Sequence, residues 1–132
     1  MTTTSAEQLE ALLKAFGQAF NSHDAESLVS MMTEDCVFRM AMGSAPGGNE
    51  VTGREAVREA FLQTFANFPN ARWIPRAPDF VVGNRGVSEW TYQATRQSDG
   101  VRFDMAGVDI FTFRDGKIAM KDTFRKERLQ TF

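Results

Sequence analysis

Asp109 and Asp122 each interrupt an otherwise apolar, alternating run near the end of the chain. Period-two alternation puts Phe103, Met105, Gly107, Asp109, Phe111 and Phe113 on one strand face, with Val108, Ile110 and Thr112 on the other. After the Asp115-Gly116 turn signal, Ile118, Met120, Asp122 and Phe124 form a second apolar face, backed by Ala119, Lys121, Thr123 and Arg125. A two-residue hairpin turn there pairs Arg114 with Lys117 and sets Asp109 opposite Asp122, their Cβ atoms roughly 5 Å apart. Two carboxyl groups at that spacing in an apolar setting share one proton and titrate as a unit, which suits general acid/base catalysis. Asp109→Asn and Asp122→Asn are then expected to abolish turnover while preserving or raising stability, because mutual repulsion is relieved. The alternatives are structural: a carboxylate bonded to backbone groups at a turn or bulge, or Asp122 paired with Lys121 or Arg125 at an exposed edge.

The neighbouring strand must supply the rest of such a site. Counting back from the Asp99-Gly100 turn pairs Ser98 with Val101, Trp90 with Asp109 and Tyr92 with Gly107. Trp90, Asp109 and Asp122 then form one row across three strands, with Asp79 a less secure extension of it. Trp90 desolvates the carboxyl group and offers its indole N–H, while Tyr92 offers a phenol beside a glycine that leaves space for a ligand.

Upstream, Ser5-Ala-Glu-Gln8 reads as a capping box opening a helix whose buried stripe is Leu9, Leu12, Leu13, Phe16 and Phe20. Asp24 caps a short second helix carrying Leu28, Met31 and Met32, followed by a strand from about Cys36 to Met42. The glycine-rich loop from Gly43 to Gly53 is a candidate lid or a plain connector. Thr52-Gly-Arg-Glu55 reads as a second capping box, opening a helix with Val57, Phe61, Phe65 and Phe68 buried and Pro69 as its stop. His23, the only histidine, is read as a capping or solvent-facing residue. Four strand-like runs follow, so the pattern is α+β, with three helices on one face of a strongly bent, mainly antiparallel sheet.

A chain of 132 residues is one domain, 1–132, with no room for a second, cofactor-binding one. A net charge of -2 and scattered basic residues argue against nucleic acid as a partner. The single Cys36 reads as an ordinary strand residue, and a lone histidine argues against a metal site. The Met-Thr-Thr-Thr-Ser start has no basic-then-apolar pattern and no stretch is long enough to span a membrane, so a soluble cytoplasmic protein is expected.

Ala-Phe-Asn-Ser-His-Asp24, Glu-Asp35-Cys-Val-Phe, Gly53-Arg-Glu-Ala-Val-Arg and Asp109-Ile-Phe-Thr-Phe-Arg-Asp-Gly-Lys-Ile118 together resemble the nuclear transport factor 2-like superfamily. The SnoaL-like polyketide cyclase and ketosteroid isomerase branch is most similar. The resemblance implies a cone-shaped pocket between sheet and helices, commonly in a homodimer, on a fold that hosts many chemistries. Ketosteroid isomerases place a tyrosine, a basic aspartate and a protonated aspartic acid where this sequence has Phe16, Met40 and Asp109, so their isomerisation route is not implied. Limonene epoxide hydrolases have an arginine and an aspartate where Trp90 and Tyr92 stand, and only Asp122 matches their last aspartate. Polyketide cyclases carry a histidine at Asp109 and an aspartate near Asp122, and this branch fits best.

Two functions stay open on these residues. One is a cofactor-independent enzyme using Asp109 and Asp122 as a coupled acid/base pair on a small, hydrophobic, carbonyl-bearing substrate, for cyclisation, isomerisation or dehydration. Trp90, Tyr92, Phe16, Met40, Met105, Phe111 and Met120 line its pocket. The other is a non-catalytic module that binds a hydrophobic ligand or associates through the outer sheet face, where Thr91, Gln93, Thr95, Val108, Ile110 and Thr112 suit a homodimer interface. Carboxylates locked by Arg or Lys would favour the module.

Overall fold

A computed structural model describes residues 4–127. Three helices come early: α1 (Ala6–Asn21), α2 (Ala25–Ser30) and α3 (Arg54–Asn67). The strands are β1 (Met32–Arg39), β2 (Glu50–Thr52), β3 (Arg72–Pro75), β4 (Phe80–Val82), β5 (Arg85–Thr95), β6 (Arg102–Arg114) and β7 (Lys117–Arg125). They form one sheet in the order β2-β1-β7-β6-β5-β3, with β4 also on β5; only the β1–β7 pair is parallel.

The expected capping box at Ser5 and Gln8 is present, with both reciprocal hydrogen bonds made. Leu9, Leu13, Phe16, Ala19 and Phe20 are the buried face of α1, and Phe16 meets Phe111 of β6 edge-on at 5.7 Å between ring centres. Asp24 caps α2 through the Ser27 N–H, but Met31 already ends that helix and β1 begins at Met32, earlier than alternation suggests. The second capping box is not formed: Gly53 is the N-cap of α3, at φ 94, with no side-chain cap. Within the expected Gly43–Gly53 loop, Glu50–Thr52 pair with β1 as β2, and none of this stretch borders the cavities described below.

Helices and sheet enclose one apolar cluster, which includes Leu13, Phe16, Phe20, Met32, Cys36, Val57, Phe61, Phe111, Phe113 and Ile118. A second, smaller cluster holds Ala71, Trp90, Tyr92 and Ala94 at the β3–β5–β6 end. On β5 and β6 the expected faces hold: Trp90, Tyr92, Asp109 and Phe111 are buried, while Thr91, Gln93, Val108 and Ile110 are half-buried on the side away from the helices. Among the described residues, no helix is long and apolar enough to cross a membrane.

Candidate functional site

Register decides which side chains meet at the centre of the sheet, and both hairpins depart from simple counting. At the Asp99-Gly100 end the last β5–β6 pair is Thr95 with Arg102, so Trp90 lies opposite Gly107 and Ser88 opposite Asp109. The Asp99 carboxylate accepts hydrogen bonds from the Val101 N–H and from Arg96 Nε, which holds this wider turn. This is a shift of two residues, and a shift of two keeps every side chain on its face.

The β6–β7 hairpin begins as expected, with Arg114 opposite Lys117 and Phe113 opposite Ile118, but the next pair is Thr112 with Met120. Ala119 is therefore the extra residue of a β-bulge, and everything after it is turned over. The expected Asp109–Asp122 opposition is absent. Asp122 lies opposite Ile110 and meets Arg39 at 3.6 Å, whereas Lys121 and Thr123 turn inward. Both registers keep Ile118 in the core. Only the bulged one faces Asp109 with a cation and a hydroxyl instead of a second carboxylate, and two opposed buried carboxylates are the costlier arrangement.

The resulting cluster is buried and closed. Asp109 Oδ1 accepts from Lys121 Nζ at 2.8 Å and from Thr123 Oγ1 at 2.5 Å, while Oδ2 accepts from Trp90 Nε1 at 3.0 Å. Lys121 Nζ also donates to Thr123 Oγ1 at 2.7 Å and lies over the rings of Phe38 and Phe20, at 4.7 and 5.0 Å. Burial pushes the Lys121 ammonium below the usual lysine range, against the pull of the Asp109 charge and hydrogen bond. Trp90 thus reaches Asp109 from one row away, because Gly107 opposite it has no side chain. A Cβ at Gly107 would lie 2.5 Å from the Trp90 ring, so the indole, not a ligand, takes the space expected there.

The cluster borders a cavity of about 40 Å³ walled by Leu13, Phe16, Gly17, Phe20, Trp73, Ser88, Trp90 and Phe111 along with Asp109 and Lys121. Leu13, Gly17, Trp73, Ser88 and Trp90 also line a wider cleft of about 480 Å³ between α1 and the β3–β4 segment, flanked by Pro75, Pro78 and Asp79. Asn21 at the end of α1 exchanges two hydrogen bonds with the backbone of Trp73, at 2.8 and 2.9 Å, which fixes that indole at the cleft wall.

Of the expected site residues, Asp109, Trp90, Phe16 and Phe111 border the inner cavity together. Asp122 does not, and neither does Met120, which the bulge turns outward opposite Thr112. Met40 lies beyond the end of β1, bonded to the loop at Asn49, and Met105 lies opposite Tyr92, away from the cavity. Tyr92 is buried behind Trp73 with Arg125 over its ring, and burial pushes its phenol above the usual tyrosine range. Asp79 stands at the cleft rim, not in the row. His23 is half-buried, with its backbone N–H on the Phe20 carbonyl at the end of α1; at φ 55 its ring stacks on Phe65 and its Nε2 bonds with the Ala71 carbonyl, contacts that the expected capping or solvent-facing role does not include. Among the described residues, no group of three or more His, Cys, Asp or Glu is placed to hold a metal ion.

With this geometry, sequence comparison is decisive for kinship: the profile of the SnoaL-like domain matches residues 13–120. The chain belongs to the SnoaL-like family. Solved structures give this SnoaL-like chain the nuclear transport factor 2-like fold. An NTF2-like protein of unknown function from Mesorhizobium loti is 26% identical, with a TM-score of 0.77 over 96% of this chain and 98% of that one. A candidate polyketide cyclase from Xanthomonas campestris pv. campestris is 21% identical, with a TM-score of 0.73 over 90% of each chain. TerC, co-crystallised with polyporic acid, is 21% identical, with a TM-score of 0.75 over 90% of this chain and 92% of that one. No curated protein matches the SnoaL-like chain.

Proposed function

We propose that this SnoaL-like protein is an enzyme that moves a proton beside the carbonyl of a small hydrophobic molecule, with Asp109 and Lys121 as the working pair. The observation that carries the reading is an ion pair whose side chains are only 9% and 5% exposed yet border a cavity that shares Leu13, Gly17, Trp73, Ser88 and Trp90 with an apolar cleft. A charged pair inside apolar walls is costly as mere packing and potent as catalytic equipment.

In this reading the substrate carbonyl enters the inner cavity and its oxygen accepts a hydrogen bond from the Lys121 ammonium. Asp109, oriented by Trp90 and Thr123, takes the adjacent carbon's proton, and Lys121 stabilises the enolate that forms. Cyclisation, isomerisation or dehydration follows from that enolate according to the substrate, using only these side chains. The fold shared with a candidate polyketide cyclase is compatible with such a substrate.

A second reading is favoured by the locked carboxylates, the arrangement expected of a binding module: Asp109 already accepts three hydrogen bonds, one of them from Lys121, and Asp122 meets Arg39. The cleft then holds a hydrophobic ligand without turnover. Hydrogen–deuterium exchange at the carbons flanking the carbonyl of 4-phenylbutan-2-one, followed by NMR in D₂O, separates the two. Exchange accelerated by the protein and lost in Asp109→Asn supports the enzyme. Quenching of tryptophan fluorescence by the ketone with exchange no faster than in buffer overturns the enzyme in favour of the binding module.

A further inference from the structure

Lys121 differs in kind from the other lysines of the chain. Lys14, Lys117 and Lys126 are exposed, whereas Lys121 is 4% exposed, faces two phenylalanine rings and borders an internal cavity. We infer that Lys121 is a covalent catalyst: its Nζ condenses with the carbonyl of an aldehyde or unhindered ketone to form an iminium, with Asp109 and Thr123 relaying protons. This deepens the reading above and rests on it, since the same cavity and the same carbonyl substrate are used.

An amine becomes a nucleophile only when it has lost its proton, and the structure offers the place for that proton to go. Asp109 Oδ1 is 2.8 Å from Nζ, and Thr123 Oγ1 bonds to both groups. Moving the proton from Lys121 to Asp109 turns an ion pair into two neutral groups, which an apolar setting favours. Burial already depresses the ammonium in the required direction.

The step balances without any other reagent. The Nζ lone pair attacks the carbonyl carbon, the C=O π pair moves to oxygen, and a proton from nitrogen passes to that oxygen, giving a carbinolamine. Asp109, now a carboxylic acid, protonates the hydroxyl; the C–O bond breaks, water leaves, and the nitrogen lone pair forms C=N. Starting from an ammonium, a carboxylate and a carbonyl, the products are an iminium, a carboxylate and one water. The pair is therefore neutral at the amine and carbinolamine stages, and the positive charge returns beside the Asp109 carboxylate when the iminium forms. The iminium then acidifies the neighbouring C–H, whose proton Asp109 accepts as the bonding pair forms an enamine.

The cavities also set the substrate's shape. About 40 Å³ beside Lys121 admits a formyl or acetyl head and little more, while the 480 Å³ cleft beyond Gly17 accepts an elongated apolar body between Trp73, Trp90 and Pro75. A terminal carbonyl on a hydrophobic tail fits this outline, and a carbonyl flanked by two bulky groups does not.

The test is reductive trapping on the intact chain. The protein is incubated with 4-phenylbutan-2-one and sodium cyanoborohydride, and adducts are located by intact-mass and peptide mass spectrometry. The expected result is one adduct, with the mass of the ketone plus two hydrogens less one water, on Lys121 roughly tenfold more often than on Lys14, Lys117 or Lys126. Adducts absent, or spread evenly over the four lysines, overturn the covalent step. Deuterium exchange at the same ketone then separates the two readings. Exchange without trapping leaves the proton-transfer enzyme standing with Lys121 as an ammonium donor only, and loss of both removes it as well. The decision needs no variant, so it does not depend on any substitution folding.

Discussion

Lys121 Nζ stands 2.8 Å from Asp109 Oδ1, and each side chain is at least nine-tenths buried. A pair in that position is most sensitive to losing one partner, because the survivor is left charged and unpaired in an apolar surround. Asp109→Leu or Lys121→Met alone is expected to cost about 3–5 kcal/mol, while the two combined recover much of the loss. This reverses the stabilisation that two repelling aspartates would give on substitution. Urea unfolding of the single and double variants checks it, and strictly additive costs would contradict the pairing.

Gly107 and Trp90 are coupled in the same way through shape. A Cβ at Gly107 would lie 2.5 Å from the Trp90 ring and 2.6 Å from the Phe124 carbonyl oxygen, and the second of these is backbone that cannot turn aside. Gly107→Ala is expected to destabilise by about 1–3 kcal/mol and to move the indole away from Asp109. Trp90→Phe keeps most of the packing but removes a hydrogen bond to a charged group, a loss of about 1.5–3 kcal/mol. Thermal melts with tryptophan fluorescence read both effects, and a Gly107→Ala protein with an unchanged melt and spectrum would show that the ring has room to move.

The layer order, the Ser5 and Asp24 caps and the inward faces of β5 and β6 were all legible, because each follows from a local pattern of a few residues. The site was legible only to the nearest residue, which on a strand is the difference between two faces. On β5–β6 the true register differs from simple counting by two, so Trp90 and Asp109 stay on the same side and still meet. On β6–β7 it differs by one, so Asp122 and Lys121 exchange places. Nothing at Ala119 announces a bulge. The usable signal was Asp109 itself: an inward carboxylate calls for a cation across from it, and Lys121 is one residue out of register. The cleft was less legible still, since Gly17 and Trp73 come from separate elements that only the fold brings together.

Acid should loosen the fold through exposed carboxylates. Arg114 holds the Asp35 carboxyl below its ordinary 3.8, the Ser27 side chain does the same for Asp24, and the Val101 N–H does so for Asp99. A carboxyl whose folded pKa lies below its unfolded one stabilises fully above the unfolded value and loses that contribution as pH falls through the folded value. Stability is therefore expected to decline below about pH 4. Asp35→Asn removes one titrating partner, so its acid decline should be shallower. Melting temperatures from pH 2 to 6 provide the check; an Asp35→Asn curve parallel to the parent would mean that the Arg114 contact contributes nothing in solution.

Gly17 stands inside α1 and borders both the inner cavity and the outer cleft, and a Cβ built there meets nothing within 4 Å. Glycine inside a helix costs about 0.5–1 kcal/mol relative to alanine, with no local steric need for it here. Gly17→Ala is therefore expected to raise stability by about that amount and to leave access open. Gly17→Leu keeps the gain in helix propensity but sets a branched side chain between the cleft and the Asp109–Lys121 pair. Exchange at 4-phenylbutan-2-one should fall sharply in the leucine variant while its melting temperature stays at or above that of the parent. A leucine variant that is more stable and exchanges at the parental rate would show that the carbonyl does not reach Lys121 past Gly17.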